Sequence, residues 1–152
     1  MRLSSKERYA VRAMAFLAST YGSGPVPLSL VARTQRVPRR YLERIIGDLR
    51  RAGIVVSRRG VSGGYELSRP PERVTVADIL KALDGNVLPL DCGGSRRCSF
   101  RTSLDACVAK PLWQALQRQL DDSLSRVTLA AMATSLNTVT LPADPESKVV
   151  CI

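Results

Sequence analysis

Apolar residues recur at helical spacing along most of the chain, and the breaks between these runs divide it into short elements. Between residues 4 and 21, Ala10, Ala13, Met14, Leu17, Ala18 and Tyr21 form one stripe. Ser4-Ser5-Lys6-Glu7 before it reads as a capping box, with Ser4 at the N-cap and Glu7 three residues on. "GSGPVP" stops that helix. Residues 27 to 35 predict a short second helix with Leu28, Val31 and Ala32 inward. A turn at Arg36-Val37 leads to Pro38, suited to a first helical position because its missing N–H is not needed there. From 38 to 52 the stripe is Leu42, Ile45, Ile46 and Leu49, while Arg39, Arg40, Glu43, Arg44, Arg50 and Arg51 occupy the other face. Gly53 ends that helix. Residues 54–57 and 65–68 then predict two short strands flanking "RRGVSGG", a basic loop too long for a tight hairpin turn.

Pro70-Pro71 closes this unit, and Thr75-Val76-Ala77-Asp78 starts a further helix that runs to about Leu83. No period is visible between 86 and 110. After Pro111, a long helix carries an apolar seam of Leu112, Trp113, Leu116, Leu120, Leu124 and Val127, and Thr128 can cap a short terminal helix. The expected fold is mainly α with a small β wing: a winged helix-turn-helix plus a long C-terminal dimerisation helix. The expected division is a DNA-binding domain at 1–85, a cysteine-bearing loop at 86–110, the dimerisation and terminal helices at 111–136, and a loose tail at 137–152.

Charge sharpens this picture. The 152 residues carry a formal net charge of +10, which favours polyanions such as nucleic acid or an anionic membrane surface. An evenly spread arginine bias is the plainer account. It weakens because the basic face of the third helix continues into an arginine loop where a wing would sit. A helix of this diameter fits the major groove, with bases read from its N-terminal half. Arg58 and Arg59 on the wing would reach phosphates or the minor groove. The basic start of the chain is interrupted by Arg8 and Arg12, so it reads as an amphipathic helix and not a signal peptide. No apolar run is long enough to cross a bilayer, and a cytoplasmic location is expected.

Candidate chemistry lies in "LDCGGSRRCSFRTSLDACVAKPLW", residues 90 to 113, which holds Cys92, Cys98 and Cys107 in a chain with no histidine. In a reducing compartment such spacing points to a metal site or a redox sensor before a disulfide frame. Thiolates are strong ligands for iron–sulfur clusters, whereas structural zinc prefers tighter knuckles and four ligands. A metal-free thiol switch stays open, with Arg96, Arg97 and Arg101 placed to lower thiol pKa values.

"MRLSSKERYAVRAM", "VPRRYLERIIGDLRRAGIV" and "SRRGVSGGYELSRP" closely resemble the bacterial iron–sulfur regulator family that includes IscR, NsrR and RirA. The resemblance covers about residues 1 to 136. It implies a homodimeric winged-helix repressor or activator whose cluster is held by three cysteines ahead of a long dimerisation helix. By matching position it implies that Arg40, Tyr41 and Glu43 face bases and that Arg59 and Gly60 form the wing contact. Glu43 would repel phosphate, so it would accept from a cytosine amino group or exclude other sequences. Pairing with Arg39 or Arg50 is the alternative. In IscR-like members a histidine three residues after the last cysteine completes the ligand set; here Lys110 stands there, and the spacing from Cys98 to Cys107 is longer than usual. The fourth ligand is left among Glu7, Asp91, Asp105, Cys151 and an exogenous group, with the cluster either 2Fe–2S or 4Fe–4S. Glu7 is also the capping-box residue, and Cys151 sits near the end of the expected tail.

The seam from Trp113 to Val127 most simply packs against its twin, with burial against the first helix as the alternative. Pairing would set two recognition helices about 34 Å apart over a roughly palindromic operator. A change at the three cysteines would then alter the spacing of the two reading heads, and about 1.4 kcal/mol of coupling suffices for a tenfold change in affinity. Other readings are a small electron carrier, a small-molecule-responsive winged-helix repressor, and a protein-binding adaptor. Catalysis has no support in the sequence, which lacks histidine, a phosphate-binding glycine loop and an acid–base pair.

Overall fold

The computed structural model describes residues 4–60, 63–84 and 110–138. The wing tip at 61–62, the cysteine segment and the C-terminal stretch from 139 lie outside the described residues, so Asp91, Cys92, Cys98, Asp105, Cys107 and Cys151 do as well. The elements run α1 (Ser5–Ser19), α2 (Leu28–Gln35), α3 (Arg39–Arg51), β1 (Val55–Arg58), β2 (Gly64–Leu67), a 3-10 turn at Pro71–Arg73, α4 (Val76–Asp84), α5 (Lys110–Ser125) and α6 (Leu129–Thr138). This is the order of a winged helix-turn-helix followed by two further helices.

Local chemistry fixes most boundaries. The Ser4–Glu7 capping box is formed at α1, with the Glu7 N–H donating to Ser4 Oγ and the Ser4 N–H to the Glu7 carboxylate. Thr75 and Asp78 make the same reciprocal pair at α4, and Thr128 Oγ1 accepts from the Ala131 N–H at α6. Arg36 ends α2 in the left-handed conformation with φ 51°. Pro38 is the N-cap of α3 and not its first residue, because its extended ψ of 127° turns the chain into the helix.

The wing is a two-stranded antiparallel sheet in which Val55 faces Leu67 and Arg58 faces Gly64. Val26 adds a bridge on the far side of β2, exchanging both backbone hydrogen bonds with Tyr65 at 2.9 Å. That approach explains Gly64: a Cβ there would stand 2.4 Å from the Val26 carbonyl oxygen.

The core joins α1, α2, α3, the base of the wing, α4 and α6. Met14, Leu17, Val31, Leu42, Ile45, Ile46, Leu49, Val55, Val74, Ile79 and Leu129 are its fully buried large residues. Tyr21, expected in the first helical stripe, is exposed because α1 ends at Ser19. Leu129 and Ala133 place α6 in the same core as the recognition helix. The entry to α6 is held by a bridge between Thr75 and Thr128, with the Val76 N–H donating to Val127 O and the Leu129 N–H to Val74 O, each at 2.9 Å.

Helix α5 is covered less completely. Leu124 packs against Val76 and Leu80 of α4, so the intramolecular cover that the alternative reading assigned to α1 comes at this position from α4. Leu112 and Leu116 are 58% and 37% exposed. Val127, expected on the seam, lies past the end of the helix in the connection to α6, where its side chain is exposed.

Candidate nucleic-acid interface

Helix α3 presents two unlike faces. Leu42, Ile45, Ile46 and Leu49 are at most 1% exposed, which fixes the rotation of the helix and turns Arg39, Arg40, Glu43 and Arg44 to solvent. Burying each such side chain is worth about 1.5–3 kcal/mol, so the orientation of the polar face is held by its apolar back. Four cationic or anionic groups on the first two turns give a surface that can meet phosphates and base edges together.

Two of these groups are already engaged. Arg39 Nε donates to Glu43 Oε1 at 3.2 Å, a pair one helical turn apart with both side chains largely exposed. The surface pairing is therefore formed in the free protein, where it occupies Oε1 of Glu43. Tyr41 is half-buried: its ring meets that of Tyr9 edge to face, with centroids 5.8 Å apart and planes at 84°. Its position thus depends on α1, a partnership no spacing within α3 could reveal. Between α1 and the start of α3 opens a hollow of about 900 Å³, with Arg40, Tyr41 and Arg44 on one side and Ser5 and Tyr9 on the other.

On the wing, Arg58 Nε donates to Glu66 Oε1 at 2.7 Å, which ties it to the neighbouring strand. Arg59 and Gly60 are exposed at the end of β1, and Gly60 adopts φ 122°, accepting from the Gly63 N–H at 2.9 Å. A side chain at Gly60 would be strained there, so this glycine shapes the turn into the loop.

Of the proposed metal ligands, only Glu7 falls within the described residues. It is buried, at 7% exposure, with the Ser4 amide on its carboxylate. Among the described residues no group of three or more histidine, cysteine, aspartate or glutamate side chains could hold a metal ion. Cys92, Cys98 and Cys107 stand in the sequence between α4 and α5, outside the described residues, and thiolates are the donor type that iron–sulfur groups take.

Two residues escaped the sequence reading. The Lys6 ammonium reaches Asp48 Oδ2 at 3.1 Å and the Leu83 carbonyl at 3.0 Å, joining three helices. Asp48 also pairs with Arg51. Burial pushes the Asp48 carboxyl up, but hydrogen bonds and charges from Lys6 and Arg51 outweigh it and hold the carboxyl below its ordinary value. Among the described residues, no helix is long and apolar enough to cross a membrane.

Comparison with known proteins gives this surface its context. Residues 3–135 match the family Rrf2, described as iron-dependent transcriptional regulator. The HTH-type transcriptional regulator IscR of Sodalis glossinidius is 36% identical over 135 residues, 89% of this chain and 80% of that protein. Among solved structures, T. potens IscR is similar with a TM-score of 0.75 and 33% identity, over 95% of this chain and 94% of that one. CymR, the global cysteine regulator of B. subtilis, is similar with a TM-score of 0.72 and 30% identity, over 89% and 98% of the two chains. These relatives are transcriptional regulators and not enzymes. With nearly its whole length matched and a winged-helix head that exposes a basic recognition helix, the chain belongs to the Rrf2 family of DNA-binding transcriptional regulators.

Proposed function

We propose that this regulator binds a roughly palindromic operator as a homodimer and that an iron–sulfur cluster held by Cys92, Cys98 and Cys107 sets its affinity. The observation that carries the reading is the placement of three thiols within sixteen positions, between the last helix of the reading head and the helix with an uncovered apolar face. Likeness to T. potens IscR over 95% of the chain supports it. Bound there, the cluster would supply a group whose assembly, oxidation state and open coordination respond to iron supply, oxidants or nitric oxide.

The protein's own residues do the rest. Arg40 and Arg44 face the major groove, with Tyr41 set against Tyr9 beside them. Glu43 is held by Arg39 until a base with a free amino group competes for it, which makes the pair a filter against other sequences. Arg59 and Gly60 present the wing to the backbone. Leu112, Trp113, Leu116 and Leu120 of α5 meet their counterparts in the second copy, where Leu112 and Leu116 leave apolar surface in water otherwise, while Leu124 keeps its contact with α4. The fourth ligand stays among Glu7, Asp91, Asp105, Cys151 and an exogenous group. Glu7 Oε2 holds the Ser4 amide, so Glu7 would serve through its other oxygen or by giving that bond up.

Likeness to CymR favours a second reading, in which the same thiols answer to redox or thiol chemistry without metal. Anaerobic purification followed by a visible spectrum and an iron and sulfide count separates the two. A coloured protein with iron and sulfide in stoichiometric amount is expected. A colourless, iron-free chain whose DNA affinity still changes with thiol oxidation establishes the second reading. Replacing the three cysteines by serine with no change in response removes both.

A further inference from the structure

We propose that Lys6 is a positioning residue for DNA reading, its ammonium group coupling the C-terminal turn of α4 to the recognition helix α3. The proposal rests on the cysteine-controlled regulation argued above. The geometry includes two contacts from one charge. Lys6 Nζ donates to the Leu83 carbonyl at 3.0 Å and pairs with Asp48 Oδ2 at 3.1 Å. Leu83 stands in the last turn of α4, where helix carbonyls have no partner within the helix and carry the negative end of the dipole. Asp48 lies one helical turn after Arg44, on the edge of α3 next to the exposed basic face. Its carboxylate is held from the other side by Arg51.

A lysine suits this place because an ammonium has several donors on one small charged centre. It can cap a helix end and neutralise a carboxylate at once. Apolar packing between α3 and α4 tolerates small sliding, whereas a charge-assisted hydrogen bond loses strength steeply with distance and angle. The chain leaves α4 at Asp84 and continues into the segment that carries Cys92, Cys98 and Cys107. A change of state at the cysteines has the end of α4 as the covalent path along which it pulls on the reading head. Through Lys6 that pull is delivered to Asp48, and so to the register of Arg40 and Arg44 in the groove. The side chains of Lys6 and Asp48 are 28% and 18% exposed, so the link is shielded enough to be directional yet shallow enough to substitute without emptying the core.

The test compares the full-length, anaerobically purified chain with Lys6→Met and Asp48→Asn. Each protein is titrated against a duplex recovered from a random-sequence pool by the iron-loaded wild type. Affinity is measured before and after the iron is stripped with a chelator. The wild type is expected to change affinity about tenfold or more, and each variant by less than about threefold. Lys6→Arg, which retains charge and donors, should recover part of the response. Iron content should match the wild type, and the slope of log affinity against log salt should not change. A slope reduced by about 0.9 in Lys6→Met would identify Lys6 as a phosphate contact and overturn the coupling. Asp48→Asn guards against a Lys6 variant that folds poorly or loads less iron: a full response in Asp48→Asn overturns the proposal by itself. A wild type whose affinity ignores its iron overturns the regulatory reading and the coupling together. A responding wild type beside equally responding variants overturns only the coupling.

Discussion

Helices α3 and α5 are built on the same plan, thirteen and sixteen residues with an apolar stripe that includes several leucines and a polar remainder, yet the protein treats their stripes differently. On α3 the stripe is sealed, with Leu42, Ile45 and Leu49 at 0% exposure. On α5, Leu124 finds α4 while Leu112 stands 58% exposed. An amphipathic pattern therefore states that a face wants cover without stating whose. The recognition helix is covered by its own chain, which frees its polar side for a ligand. Among the described residues the long helix is covered near its C-terminal end, while Leu112 and Leu116 stay exposed, the surface given above to the proposed pairing. Breaking the two stripes should accordingly have different consequences. Leu49→Ala is expected to cost about 3 kcal/mol of folding stability at any protein concentration, as a cavity in a sealed core does. Urea unfolding checks it. A smaller loss that grows with dilution would place α3, too, at an interface.

The converse applies to α5. Leu112→Ser combined with Leu116→Ser should leave urea unfolding of the monomer nearly unchanged and weaken self-association at least about a hundredfold, given roughly 2 kcal/mol for each leucine buried between copies. Sedimentation equilibrium reads this directly, and an unaltered dimer would assign pairing to another surface. The polar side of α3 provides the next contrast. Arg40→Ala should weaken DNA binding about tenfold, and if it meets phosphate should lower the salt slope by about 0.9. Arg39→Ala should do less, because Arg39 is engaged with Glu43, and its loss frees that carboxylate. Anisotropy titrations at several salt concentrations rank the two. Equal losses would mean that Arg39, once Glu43 is released, makes a DNA contact of its own.

Which parts of this were legible in the sequence follows from the range of the interactions involved. The helices α1 to α4, the wing strands to within a residue, and the capping pairs Ser4–Glu7, Thr75–Asp78 and Thr128–Ala131 are local: helix and cap partners stand three or four positions away, and the wing strands pair across six to twelve. The exposure of Arg39, Arg40, Glu43 and Arg44 follows from the same periodicity, and the Arg39–Glu43 pair was one of two alternatives that the spacing allowed. Tyr41 was read as a base-facing residue, but its edge-to-face partner Tyr9 sits on another helix, so its half-burial left no mark in the local pattern. The union of α6 with the core through Leu129, and the Thr75–Thr128 bridge, are likewise long-range. The Lys6 link spans 77 positions to Leu83, and no periodicity reaches so far. Cys92, Cys98 and Cys107 are legible as chemistry alone, because ligand type is written in residue identity while ligand geometry is not.

That long-range link also yields the smallest effect, and it touches the edge of α3 rather than its stripe. Asp48 is the carboxylate whose environment departs most plainly from solution: burial alone would raise its pKa, and Lys6 and Arg51 reverse the sign and hold it low. A group with a lower pKa folded than unfolded binds fewer protons in the folded state. Its contribution to stability is therefore complete above the ordinary carboxylate value near 3.9, and is lost as pH falls through the lowered folded value. The contribution should be modest, about 0.2–1 kcal/mol, because both partners retain some exposure to solvent. Urea unfolding of the wild type and Asp48→Asn at successive pH values gives the comparison. The stability difference between them should be constant near neutrality and shrink in the acid range. Parallel curves down to the acid limit would show that the ion pair adds nothing that pH can remove, and that α3 is held to α1 by its apolar face alone.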